Sequence, residues 1–153
     1  MEIRIDYLDN NPQFTDTVAH WIYDEFRPNL IDKTFEDVVN MMSTHFLDKI
    51  PIRLVAIAYD KCVGTISLVE NELPSRNYTP YLSALFVDPE YRKLGVGQKL
   101  VDELMDVVRG LGYKELYLRT EHASGYYRKL GWTFVENCAA NLCLKPDVFK
   151  CEL

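Results

Sequence analysis

In the stretch Leu85-Phe86-Val87-Asp88-Pro89-Glu90-Tyr91-Arg92-Lys93-Leu94-Gly95-Val96-Gly97-Gln98-Lys99-Leu100, an apolar run meets a turn, and two glycines then open an amphipathic segment. The first turn of a helix carries N–H groups that no helical carbonyl can satisfy, and the helix dipole is positive at the same end, so such a junction attracts anions. Gly95 and Gly97 would leave that backbone bare to a phosphate, and Arg92 and Lys93 add positive charge at its mouth. By itself, Gly-x-Gly before a helix fits a plain structural turn equally well. Two other glycine loops are excluded. A dinucleotide fold wants a third glycine where Leu100 stands and a position after the first strand, and a Walker loop wants Gly-Lys-Ser/Thr. Cys62, Cys138, Cys143 and Cys151 form no CxxC pair and join no histidine cluster, so they read as structural thiols, with no metal site.

The rest of the chain must position that junction. Ile3, Ile5 and Tyr7 alternate with charged residues as a half-buried strand does. Pro12 opens a helix that runs to about Phe26, with Phe14, Val18, Trp21, Ile22 and Phe26 on its apolar face. Thr34-x-x-Asp37 resembles a capping box for a second helix whose stripe is Phe35, Val38, Val39, Met42 and Phe46. Arg53 to Tyr59 reads as a central strand, Asp60-Lys61 as a turn, and Val63 to Val69 as its antiparallel partner. Leu73 to Pro80 is a loop, Tyr81 to Val87 a strand and Gly95 to about Arg109 a helix ended by Gly110-Leu111-Gly112. Glu115 to Thr120 is strand-like, Ser124 to Leu130 a short helix, and Thr133 to Val135 with Leu142 to Leu144 a last pair of strands. The order β-α-α-β-β-β-α-β-α-β-β indicates the α/β (α+β) class, a mixed central sheet with helices on both faces, in one domain over residues 1–153.

Composition agrees with a globular protein, at 48% apolar and 26% charged residues. The net charge of −6 repels phosphate backbones and disfavours nucleic acid as a partner, while suiting a cationic amine. No run approaches the ~18 apolar residues that cross a bilayer. Met1 to Asp6 lacks the apolar core of a signal peptide, so a cytoplasmic protein with reduced thiols and no membrane partner is expected.

Arg92-x-x-Gly95-x-Gly97 after Leu85-Phe86-Val87 resembles the signature of the GNAT superfamily of acetyl-CoA-dependent N-acetyltransferases. A second block also matches in register: Ala123, Tyr127, Lys129 and Gly131 fall where the family carries Asn-x-x-Ala and Tyr-x-Lys-x-Gly-Phe, with Thr120 in place of Asn and Trp132 in place of Phe. The resemblance implies the GNAT fold, with acetyl-CoA as cosubstrate and a primary amine as acceptor, attacking the thioester directly in a ternary complex. It places the thioester where the strand ending at Val87 splays from the one ending at Thr120. Leu85, Phe86 and Val87 would line the pantetheine arm, and an N–H there could polarise the acetyl carbonyl. The main-chain N–H groups of Arg92, Lys93, Leu94, Gly95, Val96, Gly97 and Gln98 would hold the pyrophosphate. Tyr127 would protonate the departing thiolate, as a phenol near pKa ~10 can at neutral pH. Thr120 is placed either against the cofactor or substrate or in a purely structural role, and Tyr126 is expected in the core.

The acceptor's ammonium must lose a proton before attack, and the strand positions Tyr81 and Ser83, where some family members carry Glu or His, hold no good base. Proton release through water is expected, ending at Glu25, Glu70, Glu72, Glu121 or His122, with His122 favoured for its place beside the cleft. Glu25, Tyr81 and Ser83 are the acceptor-side candidates. Trp21-x-x-x-Glu25, Thr79-Pro80-aromatic-Leu82 and Leu116-Tyr117-Leu118 look like a bacterial GNAT subgroup that also resembles the enzyme acetylating the N-terminus of actin. A small amine, a lysine or a protein N-terminus therefore stays open as acceptor, to a monomer or homodimer. The same motifs also fit a non-catalytic acetyl-CoA-binding module, or an enzyme using a longer acyl-CoA.

Overall fold

The computed structural model describes residues 1–140 and 144–153. Its elements are β1 (Arg4–Tyr7), α1 (Thr15–Glu25), α2 (Phe35–Met42), β2 (Ile52–Ala58), β3 (Lys61–Val69), β4 (Tyr81–Val87), α3 (Val96–Gly110), β5 (Glu115–Thr120), α4 (Ser124–Lys129), β6 (Thr133–Asn137) and β7 (Asp147–Glu152). This is the order expected from the sequence. The differences are local. A 3-10 turn over Pro12–Phe14 precedes α1, and α2 stops at Met42, leaving Phe46 outside its buried stripe. The β2–β3 turn centres on Tyr59 and Asp60, both at positive φ, one residue before the expected pair.

The last strand is the main correction. It runs from Asp147 to Glu152, whereas the expected segment began at Leu142 and Cys143, which lie outside the described residues. Val148 and Phe149 are consecutive and both fully buried, because β7 is an interior strand hydrogen-bonded to β5 on one side and β6 on the other. A strand covered on both faces loses the alternation by which an amphipathic one is recognised.

The seven strands lie in the order β1-β2-β3-β4-β5-β7-β6. All neighbours are antiparallel except β4 and β5, which run parallel and share the single residue pair Tyr81↔Tyr117. One face carries α3, packed through Leu100, Leu104 and Val108 onto Leu54, Ile66, Leu118 and Phe149. The other face carries α1 and α2, packed through Val18, Ile22 and Val38 onto Val55 and Ile57. Each such side chain contributes about 1.5–3 kcal/mol on full burial. The start of α2 is fixed by the capping box: the Asp37 N–H donates to Thr34 Oγ1 at 3.1 Å, and the Thr34 N–H donates to the Asp37 carboxylate at 2.9 Å. Gly64 on β3 sets how closely α3 approaches, since a Cβ there would stand 3.1 Å from Leu100 Cδ1 and 3.2 Å from the Phe86 carbonyl. No helix among the described residues is long and apolar enough to cross a membrane. Cys62, Cys138 and Cys151 are free thiols, and burial pushes Cys62 up to about 12.

Candidate active site

The site begins with an irregularity in β4. Thr65 pairs with Phe86 and Ser67 with Ser83, so β4 holds one residue more than β3 across that interval. Ala84 absorbs the bulge at φ +54°, a conformation uncommon for a residue with a side chain. As a result Ser83 and Ala84 both lie toward the α1–α2 face, while Leu82, Leu85 and Val87 belong to the α3 face. Phe86 meets Trp21 of α1, with ring centroids 5.3 Å apart. Beyond Tyr81↔Tyr117, β4 and β5 no longer pair, and the sheet opens between them.

At the far end of β4 the chain turns into α3. Asp88 caps a 3-10 turn by accepting from the Glu90 N–H, and Gly95 precedes α3 at φ +84°, a left-handed cap that glycine adopts without strain. The first N–H to close a turn of α3 is that of Lys99, donating to the Gly95 carbonyl, which leaves Val96, Gly97 and Gln98 with N–H groups free of helical partners. These residues, with Val87, Tyr91, Arg92, Lys93, Gly95 and Tyr126, line a pocket of about 280 Å³. Gly97 leaves room in it: a Cβ would meet only Val87 Cγ2, at 3.7 Å. Arg92 is partly engaged by the protein itself, its Nε donating to the Val87 carbonyl at 2.9 Å and its guanidinium lying over the Phe86 ring. Leu94 is exposed.

Tyr126 departs from its expectation. Tyr126, expected in the core, is 55% exposed and lines the pocket at the start of α3. Tyr127 points inward, its ring 5.9 Å from Trp132 and 6.3 Å from Phe149, and burial raises its pKa, keeping the phenol protonated. Helix α4 spans only six residues, and successive side chains on it diverge by about 100°. Thr120 spends its hydroxyl oxygen on the turn into α4, accepting from the Ala123 N–H at 2.9 Å. His122 is exposed just beyond β5.

Among the acceptor-side candidates, Glu25 is exposed, and Tyr81 is fully buried with its hydroxyl unpartnered among the described residues; Glu70, named for the proton route, is exposed too. Ser83 is half-buried and donates a hydrogen bond to Glu72. Arg119 donates to the Glu72 carbonyl at 3.1 Å and to the Glu121 carboxylate at 2.9 Å. A strap then holds the β3–β4 loop to β6: Arg76 donates to both Glu136 oxygens, at 2.8 and 2.9 Å, and the Tyr78 hydroxyl donates to the same carboxylate. Nothing in the sequence marked this strap, whose partners stand some sixty positions apart. Among the described residues no His, Cys, Asp and Glu group could hold a metal ion.

The sequence pattern of the acetyltransferase (GNAT) family matches residues 15–132, spanning both the glycine junction and Tyr127. The chain belongs to the GNAT family. Among relatives of this GNAT protein, N-alpha-acetyltransferase 30 of Schizosaccharomyces pombe is 28% identical over 82 residues, covering 51% of this chain and 55% of that protein. The amino-acid acetyltransferase of Pseudomonas aeruginosa is 37% identical over 51 residues, 33% of this chain and 12% of that one. The chain thus spans little more than half of one relative and a small part of the other. A crystal structure of an aminoglycoside 6'-N-acetyltransferase complexed with coenzyme A superposes with a TM-score of 0.73 at 23% identity, over 97% of this chain and 96% of that one. At that identity the likeness is one of fold, and the fold is the GNAT fold.

Proposed function

We propose that this GNAT chain, acting as one domain, transfers the acetyl group of acetyl-CoA to a primary amine by direct attack in a ternary complex. The observation that carries the reading is the conjunction of a parallel strand pair that opens after one residue pair with a pocket of bare amides directly beyond β4. The N–H groups of Val96, Gly97 and Gln98 bind the diphosphate, with Arg92 and Lys93 supplying charge. The pantetheine arm lies in the opening along Leu85, Phe86 and Val87, where the bulge at Ala84 leaves main-chain groups without cross-strand partners. A free N–H at that bulge is well placed to receive charge developing on the acetyl oxygen. Tyr127 approaches from the α3 face and gives its proton to the departing thiolate, and the burial that raises its pKa keeps that proton available at neutral pH.

The acceptor enters from the α1–α2 face, between Glu25, Ser83 and the strapped loop. The relatives' names cover amino acids, N-alpha positions and aminoglycosides, so the amine class is the shared element. Free thiols at Cys62, Cys138 and Cys151 agree with a reducing cytoplasmic setting. One observation favours the alternative of a cofactor-binding module: Thr120, which replaces the family's Asn, has its oxygen committed to a turn.

Thiol release on mixing the protein with acetyl-CoA and a panel of an amino acid, a peptide with a free N-terminus and an aminoglycoside tests the reading. Release above the amine-free control is expected for at least one class. Tight CoA binding with no release from any of them would leave only the module, and the same panel with propionyl-CoA would expose a preference for longer chains.

A further inference from the structure

Arg92 stands at the mouth of the pocket that opens α3, yet its side chain turns back toward β4. Its Nε donates to the Val87 carbonyl at 2.9 Å, and its guanidinium carbon lies 5.3 Å from the centre of the Phe86 ring. Phe86 in turn is braced by Trp21 of α1, at 5.3 Å between ring centroids. The main chain beneath is held in place: the Tyr91 N–H donates to the Asp88 carbonyl at 2.8 Å, and Tyr91 packs against the α3-face core. The contact is therefore made by a side chain reaching back across a fixed turn. Lys93, the next residue, is exposed and makes no side-chain hydrogen bond or ion pair among the described residues. Of two neighbouring cations, one is free and the other is engaged.

The group that Arg92 engages faces the sheet opening. Main-chain groups along a strand point alternately to one neighbour and the other. The Asp88 N–H donates to the Val63 carbonyl of β3 at 2.9 Å, so the Val87 carbonyl points the other way, toward β5. No strand meets it there, because β4 and β5 share only the pair Tyr81↔Tyr117. A carbonyl left without a ladder partner takes another donor, and Arg92 supplies one. In the acetyl-transfer reading, the pantetheine arm follows this same edge of β4, so the arm and Arg92 compete for it.

We propose that Arg92 sets the selectivity for the acyl donor, closing the Val87 carbonyl to thioesters without a diphosphate and releasing it to those that carry one. The inference rests on the acetyl-transfer reading above. Its physical basis is an exchange of partners. A diphosphate at the N–H groups of Val96, Gly97 and Gln98 lies in the pocket that Arg92 also lines. A guanidinium–phosphate bond is charged at both ends, whereas the bond to the Val87 carbonyl is charged at one, so the diphosphate wins Arg92. A thioester that ends at the pantetheine arm offers no anion and must break the bond with nothing in return. CoA thioesters thereby gain an advantage over shorter ones beyond the diphosphate's own binding.

The test compares two probes on the whole chain: S-acetylpantetheine, which has the arm but no phosphate, and CoA. Protein NMR titration follows the binding of each, so no turnover is needed. Arg92→Ala should bind S-acetylpantetheine about three- to tenfold more tightly than wild type, while its CoA affinity falls. The opposite signs are the signature. A residue that only touches phosphate would leave S-acetylpantetheine binding unchanged, and one that only shapes the turn would weaken both probes. Either result would overturn the assignment, as would a rise in both affinities, since Arg92 would then not pass to the diphosphate. Arg92 is exposed, so the variant should fold. Should it not, Phe86→Leu removes the ring beneath the guanidinium and should tighten S-acetylpantetheine binding about two- to fivefold. No gain there would overturn the proposal equally. A wild-type chain that binds no CoA would overturn the acetyl-transfer reading as well, whereas CoA binding with the wrong S-acetylpantetheine response overturns the role of Arg92 alone.

Discussion

The Tyr127 ring is fixed by Trp132 and Phe149, yet among the described residues its phenol shows no hydrogen bond, burial and the neighbouring Tyr126 being what shift its pKa. Replacing it with Phe therefore breaks no internal bond and leaves the packing area in place. Tyr127→Phe should fold with wild-type stability and bind CoA as before, but turn over about 10²-fold more slowly. Stopped-flow thiol release beside a CoA titration separates the two quantities, and undiminished turnover would remove the acid role. Its sequence neighbour Tyr126 has no such place, because it lines the pocket at the start of α3. His122, favoured from the sequence for the proton route, stands exposed after β5. Glu72 is half-buried at the opening itself and bonded to the strand that bounds it.

At the level of elements, the β4–α3 junction separates two roles of glycine. Gly95 sits at φ +84°, so an alanine there strains the backbone by about 1–2 kcal/mol whatever it does to a ligand. Gly97 has ordinary space for a Cβ, which makes it the cleaner probe. Gly97→Val should fold normally while CoA affinity falls by about tenfold or more, as seen by calorimetry. Full affinity in a folded variant would move the diphosphate elsewhere. The loop–β6 strap makes a prediction of its own. Hydrogen bonds from Arg76 and Tyr78, with the Arg76 charge, hold Glu136 down to about 2 from its ordinary 4.5. A carboxylate depressed on folding stabilises the folded state above its unfolded pKa and loses that contribution as pH falls through the folded one. Glu136→Gln should thus melt below wild type at pH 7, and the gap should close between pH 4.5 and 2. Parallel melting curves across that window would mean the strap adds nothing.

Across the whole molecule, β1 to β4 and β5 to β7 form two antiparallel blocks joined by a single parallel residue pair. A ligand seated between them would tie the blocks together and bind only the folded state. CoA at about 100 times its Kd should then add about 2.7 kcal/mol and raise Tm by about 5–10 °C. A Tm that ignores CoA would place the cofactor outside that opening. The element order was legible in the sequence because apolar periodicity, the Thr34–Asp37 cap and the glycine junction act over a few neighbouring residues. The strand at Asp147–Glu152 was not, since burial on both faces erases the alternation. Nor were the contacts between side chains distant in sequence. Glu72 meets Ser83 across eleven positions and Arg119 across forty-seven, and Arg76 meets Glu136 across sixty. Local chemistry along the chain determined which elements form and where the glycine junction opens α3. Only the folding of distant segments onto one sheet decided which glutamate bonds to β4, which tyrosine packs into the α3-face core, and which loop is strapped to β6. Those are facts of burial and long-range pairing, which no short stretch of chain encodes.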